Sequence, residues 1–277
     1  MIWKKIDLYA YYGVERNGAT GGYVTVCART ESVEVKKRVR PAVLVMPGGS
    51  YVYLSDREGE PIACKFVDKG YAAFIMQYSV CAKYPTPLHE AEMEIAYIRD
   101  NAAIYHVDEN HVCVAGFSAG GHLAGLLATV KASEAVLGRT VNRLRPNYAI
   151  LSYPVITMGE FGHGETRDTI TGGGEIPCEM LSVENRVDTD SAPAFIWHTM
   201  QDECVPVENS LLLADRYRKC GVPFSLHIFE KGWHGLALAD DETNDFSPEV
   251  SYLYHVGKWF DLACDWLSMH GCVVKSA

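Results

Sequence analysis

At 277 residues, 48% hydrophobic and 22% charged, the chain has the composition of a compact folded protein and not of a disordered one. A formal net charge of −10 opposes nucleic-acid phosphates and anionic lipid, so neither is an expected partner. Nine scattered cysteines, an odd count without a C-x-x-C pair, read as small core residues in a reducing compartment. With no basic-then-apolar leader and no bilayer-length apolar run, the expected location is the cytoplasm.

In chain order, the first expected elements lie around residues 2–9 and 23–27, which could pair as a hairpin across the intervening glycines. Short apolar runs follow at 42–46, 72–76, 112–115, 148–151, 195–198 and 224–229. Most are continuous, as strands buried on both faces of a parallel sheet should be. The last alternates, with Ser225 and His227 on one face, which suits a strand nearer an edge. Helix signals lie between these runs. Ser55-x-x-Glu58 has the form of a capping box opening a helix to about Lys69, before Gly70. Thr86-Pro87 offers an N-cap and a first-turn proline, followed by Leu88, Ala91, Ile95 and Ile98 at helical spacing. Ser247-Pro248 repeats that start, with Leu253, Val256, Phe260, Ala263 and Leu267 forming one apolar stripe. The alternation implies one α/β domain over residues 1–277, a mostly parallel sheet with helices on both faces. Residues 156–192, rich in glycines and acids and containing Gly172-Gly173-Gly174, break the rhythm and read as a short lid-like insertion.

Gly116-Phe117-Ser118-Ala119-Gly120 matches G-x-S-x-G, a pattern that alone describes any glycine-rich turn with a solvated serine. Here it follows the 112–115 strand run and precedes a plausible helix. A strand-turn-helix of this kind sets Ser118 on a tight elbow as a nucleophile and aims the Ala119 amide at the reacting oxygen. A serine hydroxyl needs a base to take its proton, and the base needs an acid to orient it. Asp202 follows the 195–198 run and His234 follows the 224–229 run, so both fall in loops after strands in the order Ser, acid, His. Glu203 is the rival acid. His198 lies within a strand and reads as a core histidine, while His122 should lie on the helix after the elbow, pointing away from Ser118. The remaining histidines, including His106 and His111, lack metal-site spacing.

Hydrolysis also needs donors for an oxyanion. Met46-Pro47-Gly48-Gly49-Ser50-Tyr51 follows the 42–46 strand, where this fold would carry them, and the amides of Gly49 and Ser50 are assigned with that of Ala119. Tyr51 and Trp233 flank the oxyanion loop and the base, and either could stack on a sugar face or simply pack in the core.

With these residues in place, the chain resembles the α/β-hydrolase esterase/lipase family, and within it the acetyl xylan esterase-like carbohydrate esterases. The resemblance runs from the Pro47-Gly48-Gly49-Ser50-Tyr51 loop to the end. It is most specific at Pro193-Ala194-Phe195-Ile196-Trp197-His198-Thr199, Asp202, Val205-Pro206-Val207-Glu208-Asn209-Ser210 and Lys231-Gly232-Trp233-His234-Gly235. It implies a Ser118–Asp202–His234 triad that removes acetyl or other short acyl groups from small carbohydrates such as xylo-oligosaccharides. The loop differs from the H-G-G-G of broader esterases, with Pro47 for the histidine and Ser50 for the third glycine. No cofactor and no metal is expected, the expected partner is a small acylated sugar, and a homo-oligomer stays open. Two other readings compete: a prolyl-oligopeptidase-like peptidase, which would usually need a large extra domain, and a non-catalytic binder, which would usually have lost a triad residue.

Overall fold

Among the described residues a nine-stranded sheet runs in the order β1-β2-β4-β3-β5-β6-β7-β8, with a short β9 against β3. The computed structural model describes residues 1–30, 34, 37–244 and 248–276, the side chains of 248–252 excepted. The strands are β1 (Ile2–Asp7), β2 (Tyr23–Ala28), β3 (Arg38–Met46), β4 (Ala72–Gln77), β5 (Val107–Phe117), β6 (Tyr148–Ser152), β7 (Ala194–Thr199), β8 (Phe224–Phe229) and β9 (Lys275–Ser276). β1–β2 and β2–β4 are antiparallel; β4, β3, β5, β6, β7 and β8 run parallel. The continuous apolar runs are the central strands, buried on both faces. Alternating β8 is the edge, and every one of its residues is half-buried.

The sheet separates two apolar clusters. One contains Leu44, Val114, Leu126 and Tyr97, and the other Val45, Phe117, Trp197 and Trp259. Trp197 and Trp259 stack with ring centroids 5.1 Å apart, joining β7 to the C-terminal helix. β5 is longer than its apolar run because polar Asp108–Asn110 is carried in a register shift against β3, between the pairs Arg40/Val107 and Ala42/Val112.

Three helix starts differ from expectation. Ser55 and Glu58 form no capping box. Ser55 makes no side-chain cap, a 3-10 turn covers Asp56–Glu58, and the helix begins at Glu60. The reason is that the Glu58 carboxylate is taken elsewhere, by the Gly48 amide and the Tyr153 hydroxyl. The next helix, Thr86–Asp100, starts one residue early, with Thr86 inside it and Pro85 at the cap. Ser247 lies outside the described residues. From Pro248 to Lys258 the chain is a 3-10 helix, and the α-helix starts only at Trp259. Leu253 and Val256 lie on one face of the 3-10 helix and Trp259 opens the α-helix, a three-residue spacing that equally resembles an α-helical stripe. The 156–192 stretch holds three short helices, Gly164–Thr171, Cys178–Leu181 and Val183–Arg186. Among the described residues no helix is long and apolar enough to cross a membrane.

Candidate active site

β5 ends at Phe117, and the chain turns at Ser118 into the Ala119–Ala128 helix. Ser118 has φ 52° and ψ −118°, a strained conformation for a residue with a side chain. Neighbouring backbone holds it there. Its amide donates to the Ser152 carbonyl at 3.1 Å, and its carbonyl accepts from His122 and Val155 at 3.0 and 3.1 Å. A Cβ on Gly120 would lie 2.1 Å from the Met46 carbonyl oxygen, so glycine alone lets the elbow press against the end of β3.

The loops after β7 and β8 bring two side chains to this serine. His234 Nε2 lies 2.7 Å from Ser118 Oγ, and His234 Nδ1 lies 2.7 Å from Asp202 Oδ2. Asp202 accepts through Nδ1–H, which leaves Nε2 of the neutral ring as the acceptor facing the serine hydroxyl. The other Asp202 oxygen accepts from the amides of Cys204 and Val205 at 3.0 and 2.9 Å. Burial by itself would raise the Asp202 carboxyl. Hydrogen bonds from His198 and His234 and from the Val205 amide outweigh it and hold the group well below the usual carboxylate range. Glu203 is exposed and lines the cavity beside His234, but it is Asp202 that bonds the imidazole.

His198 is buried as expected of a core histidine, bonded to Ser210 Oγ and the Val205 carbonyl. It also reaches to 3.3 Å of Asp202 Oδ2, a contact its strand position did not announce. His122 points away from Ser118, between the Tyr51 hydroxyl and the Leu181 carbonyl, each at 2.8 Å; burial lowers it to about 4. His111 pairs with Asp108. Among the described residues no group of three or more His, Cys, Asp or Glu is arranged to hold a metal.

The loop after β3 carries three consecutive residues of positive φ: Gly49 (118°), Ser50 (57°) and Tyr51 (62°). Among the described residues the Gly49, Ser50 and Ala119 amides donate no hydrogen bond within the chain, whereas the Gly48 amide is taken by Glu58. Tyr51 requires a correction. The loop turns it inward, to 0% exposure, against Tyr78 and His122, with its hydroxyl bonded to His122, so no face is left for a sugar. Trp233 is 43% exposed and, with Met200, Cys204 and His234, lines a cavity of about 770 Å³. A cavity of about 890 Å³ lies elsewhere, between Trp3, Cys64 and Leu238, and no triad residue lines it. The chemistry and not the larger volume locates the site.

Three neighbours were missed by sequence reasoning. His163, from the 156–192 stretch, caps the Gly164–Thr171 helix through Nδ1. Its pKa is lowered first by burial and then by the charge of His234, which places it close to the triad. Glu58 and Tyr153 lie behind the loops. Tyr153 follows the C-terminal end of β6, the edge where open parallel sheets gather their sites, and that was its one available signal.

A mostly parallel sheet with a strained serine elbow after β5, and with acid and base after β7 and β8, is the α/β-hydrolase arrangement. The BD-FAE family model matches residues 32–159. The chain is similar to the acetyl ester-xyloside bifunctional hydrolase of Caldicellulosiruptor lactoaceticus, at 34% identity and TM-score 0.77 over 91% of this chain and 89% of that one. It is also similar to MGS-M1, an α/β hydrolase from a Medee basin deep-sea metagenome library, at 33% identity and TM-score 0.76 over 97% of each chain. An acetylxylan esterase of Xylanibacter ruminicola is 32% identical over 227 residues, 79% of this chain and 45% of that one. The chain spans less than half the length of the first curated relatives it matches. It belongs to the α/β-hydrolases.

Proposed function

We propose that this chain is a serine esterase that removes short acyl groups, chiefly acetyl, from small carbohydrates such as xylo-oligosaccharides. The single observation that carries the reading is the unbroken chain of hydrogen bonds from Ser118 through His234 to Asp202, starting at a strained elbow. Ser118 Oγ attacks the ester carbonyl as its proton passes to His234 Nε2, and the carbonyl electron pair moves onto oxygen. The amides of Gly49, Ser50 and Ala119 stabilise that oxyanion. Collapse expels the alcohol, which takes the proton from His234 and leaves the acyl group on Ser118. Water then attacks, His234 again accepts and returns the proton, and the acid is released. Asp202 holds the ring tautomer and stabilises the imidazolium that forms twice per cycle.

The acetyl-sugar preference is supported by the names of the relatives, an acetylxylan esterase and an acetyl ester-xyloside hydrolase. Half-exposed Trp233 beside His234 supplies an apolar face on which a sugar ring can stack. In this reading the chain is one domain, and the 156–192 stretch is a lid-like insertion that brings His163 toward the triad. The test is kcat/KM on nitrophenyl esters from acetate to decanoate, alongside acetylated xylo-oligosaccharides and a dipeptidyl amide. The expected order puts acetate first, with acetate released from the oligosaccharides and no turnover of the amide. Octanoate or longer preferred, with no acetate released from any sugar, would remove the carbohydrate reading and leave the serine esterase.

A further inference from the structure

Glu58 is 3% exposed and has no role in the mechanism above, yet it lies between the two loops that serve Ser118. Its Oε2 accepts from the Gly48 amide at 2.8 Å. A Cβ on Gly48 would lie 2.8 Å from that same oxygen and 2.9 Å from Ser118 Cβ, so only a glycine lets the loop approach both the carboxylate and the serine this closely. Gly48 immediately precedes Gly49 and Ser50, whose amides face the proposed oxyanion. The other oxygen, Oε1, accepts from the Tyr153 hydroxyl at 2.6 Å. That hydroxyl in turn accepts from the Ala237 amide at 3.0 Å, three residues beyond His234. The Tyr153 ring stands edge-on to the His234 imidazole, with centroids 5.0 Å apart and an interplanar angle of 72°. Burial and the Glu58 charge push the Tyr153 hydroxyl well above its ordinary value, so it stays protonated and keeps donating.

We infer that Glu58 is a positioning residue that ties the oxyanion loop, at Gly48, to the loop carrying His234, through Tyr153. The two loops are far apart in sequence and approach Ser118 from different strands; a single buried carboxylate with both oxygens occupied fixes their mutual distance. Charge-assisted bonds of this kind are short and directional, which is what alignment of donors with a developing oxyanion requires. The same chain of bonds explains why Ser55-x-x-Glu58 forms no capping box. The inference rests on the serine-esterase reading.

The experiment compares wild type, Glu58→Gln, Tyr153→Phe and the double variant on nitrophenyl acetate, with active sites counted by organophosphonate titration and folding checked by circular dichroism. Glu58→Gln keeps the shape but cannot accept at both positions. Tyr153→Phe keeps the ring against His234 and breaks the chain at its other link, and it carries the test should Glu58→Gln not fold. Each single variant is expected to lose about 10- to 100-fold in kcat per titrated site, with KM within about threefold. Affinity for a trifluoromethyl ketone, which forms a tetrahedral adduct on the serine, should fall in step with kcat. The double variant should lose no more than the worse single, because both changes cut one chain. Unchanged kcat per titrated site, a rise in KM alone, or losses that multiply in the double variant would each overturn the inference while the esterase stands. A wild-type protein without esterase activity, or a Ser118→Ala variant that keeps it, would overturn both.

Discussion

Among the described residues, the buried carboxylates Asp202 and Glu58 sit under one rule and Glu92 and Glu94 under the opposite one. At the site, Asp202 receives the Cys204 and Val205 amides, His234 and His198, and Glu58 receives an amide and a phenol. On the Thr86–Asp100 helix, Glu92 and Glu94 are equally buried, but among the described residues none of their four carboxyl oxygens has a hydrogen-bond partner. Asp202 is held as an anion. Burial pushes Glu92 up to about 8 and Glu94 well above its ordinary value, so at neutral pH these act as uncharged side chains filling space. Burial is common to both groups. What separates Asp202 and Glu58 from Glu92 and Glu94 is the supply of donors; Glu90, on the same helix, has three, from Ser79 and Tyr9, and burial still raises it.

The largest expected effect tests the site half of this comparison. Ser118→Ala should keep the fold and lower ester turnover by about four orders of magnitude or more, and an organophosphonate should label Ser118 in the wild type. Label on another residue, or a variant with most of its activity, would sink the assignment. Asp202→Asn comes next. It removes the anion while keeping the shape, and is expected to cost about 10³- to 10⁴-fold in kcat, against less than about twofold for exposed Glu203→Gln. Equal losses at the two positions would mean that the donors around Asp202 do not mark the working acid.

Smaller in effect is Trp233→Ala, which should raise KM for an acetylated xylo-oligosaccharide by about five- to tenfold, a stacking contribution of about 1 kcal/mol. Its kcat on nitrophenyl acetate should hardly change. A loss of equal size on both substrates would make Trp233 part of the loop's structure and not a sugar contact.

The pattern of strands was legible because a strand buried on both faces leaves a continuous apolar run, and β8 betrayed its edge position by alternating. That Ser118, Asp202 and His234 come together was legible because each follows a strand, at the end where this fold gathers its loops. What could not be read depended on contacts distant in sequence. Ser55 and Glu58 have the spacing of a capping box, and nothing nearby reveals that Gly48 and Tyr153 compete for the same carboxylate and win. Tyr51 stands next to Gly49 and Ser50 in sequence, but three successive positive φ angles turn it into the core. The stripe from Leu253 onward fits periods of 3 and 3.6 over so short a stretch, and the chain takes the tighter helix.

The smallest effect probes the other half of the comparison, and its sign follows from which state holds the proton. Glu92 is raised to about 8 in the folded chain, from an ordinary value of 4.5, first by burial and then by the charge of Glu134, with Arg186 pulling the other way. Below pH 4.5 both the folded and the unfolded carboxyl are protonated, and the group costs no ionisation energy. Between 4.5 and about 8 the unfolded chain releases the proton while the folded chain retains it, so stability drains away as pH rises across that window. Glu92→Gln removes the titration but leaves a neutral polar group of the same shape in the same place. The variant should therefore melt close to wild type at pH 4.5 to 5, and gain on it steadily toward pH 8, by about 2 to 4 °C for each kcal/mol of that linkage. Comparing the two proteins at each pH cancels the contribution of every other titrating group that the substitution does not touch. A gap that stays constant with pH, or that favours wild type as pH rises, would show that Glu92 is charged in the folded protein, and the distinction between Glu92 and Asp202 would then collapse.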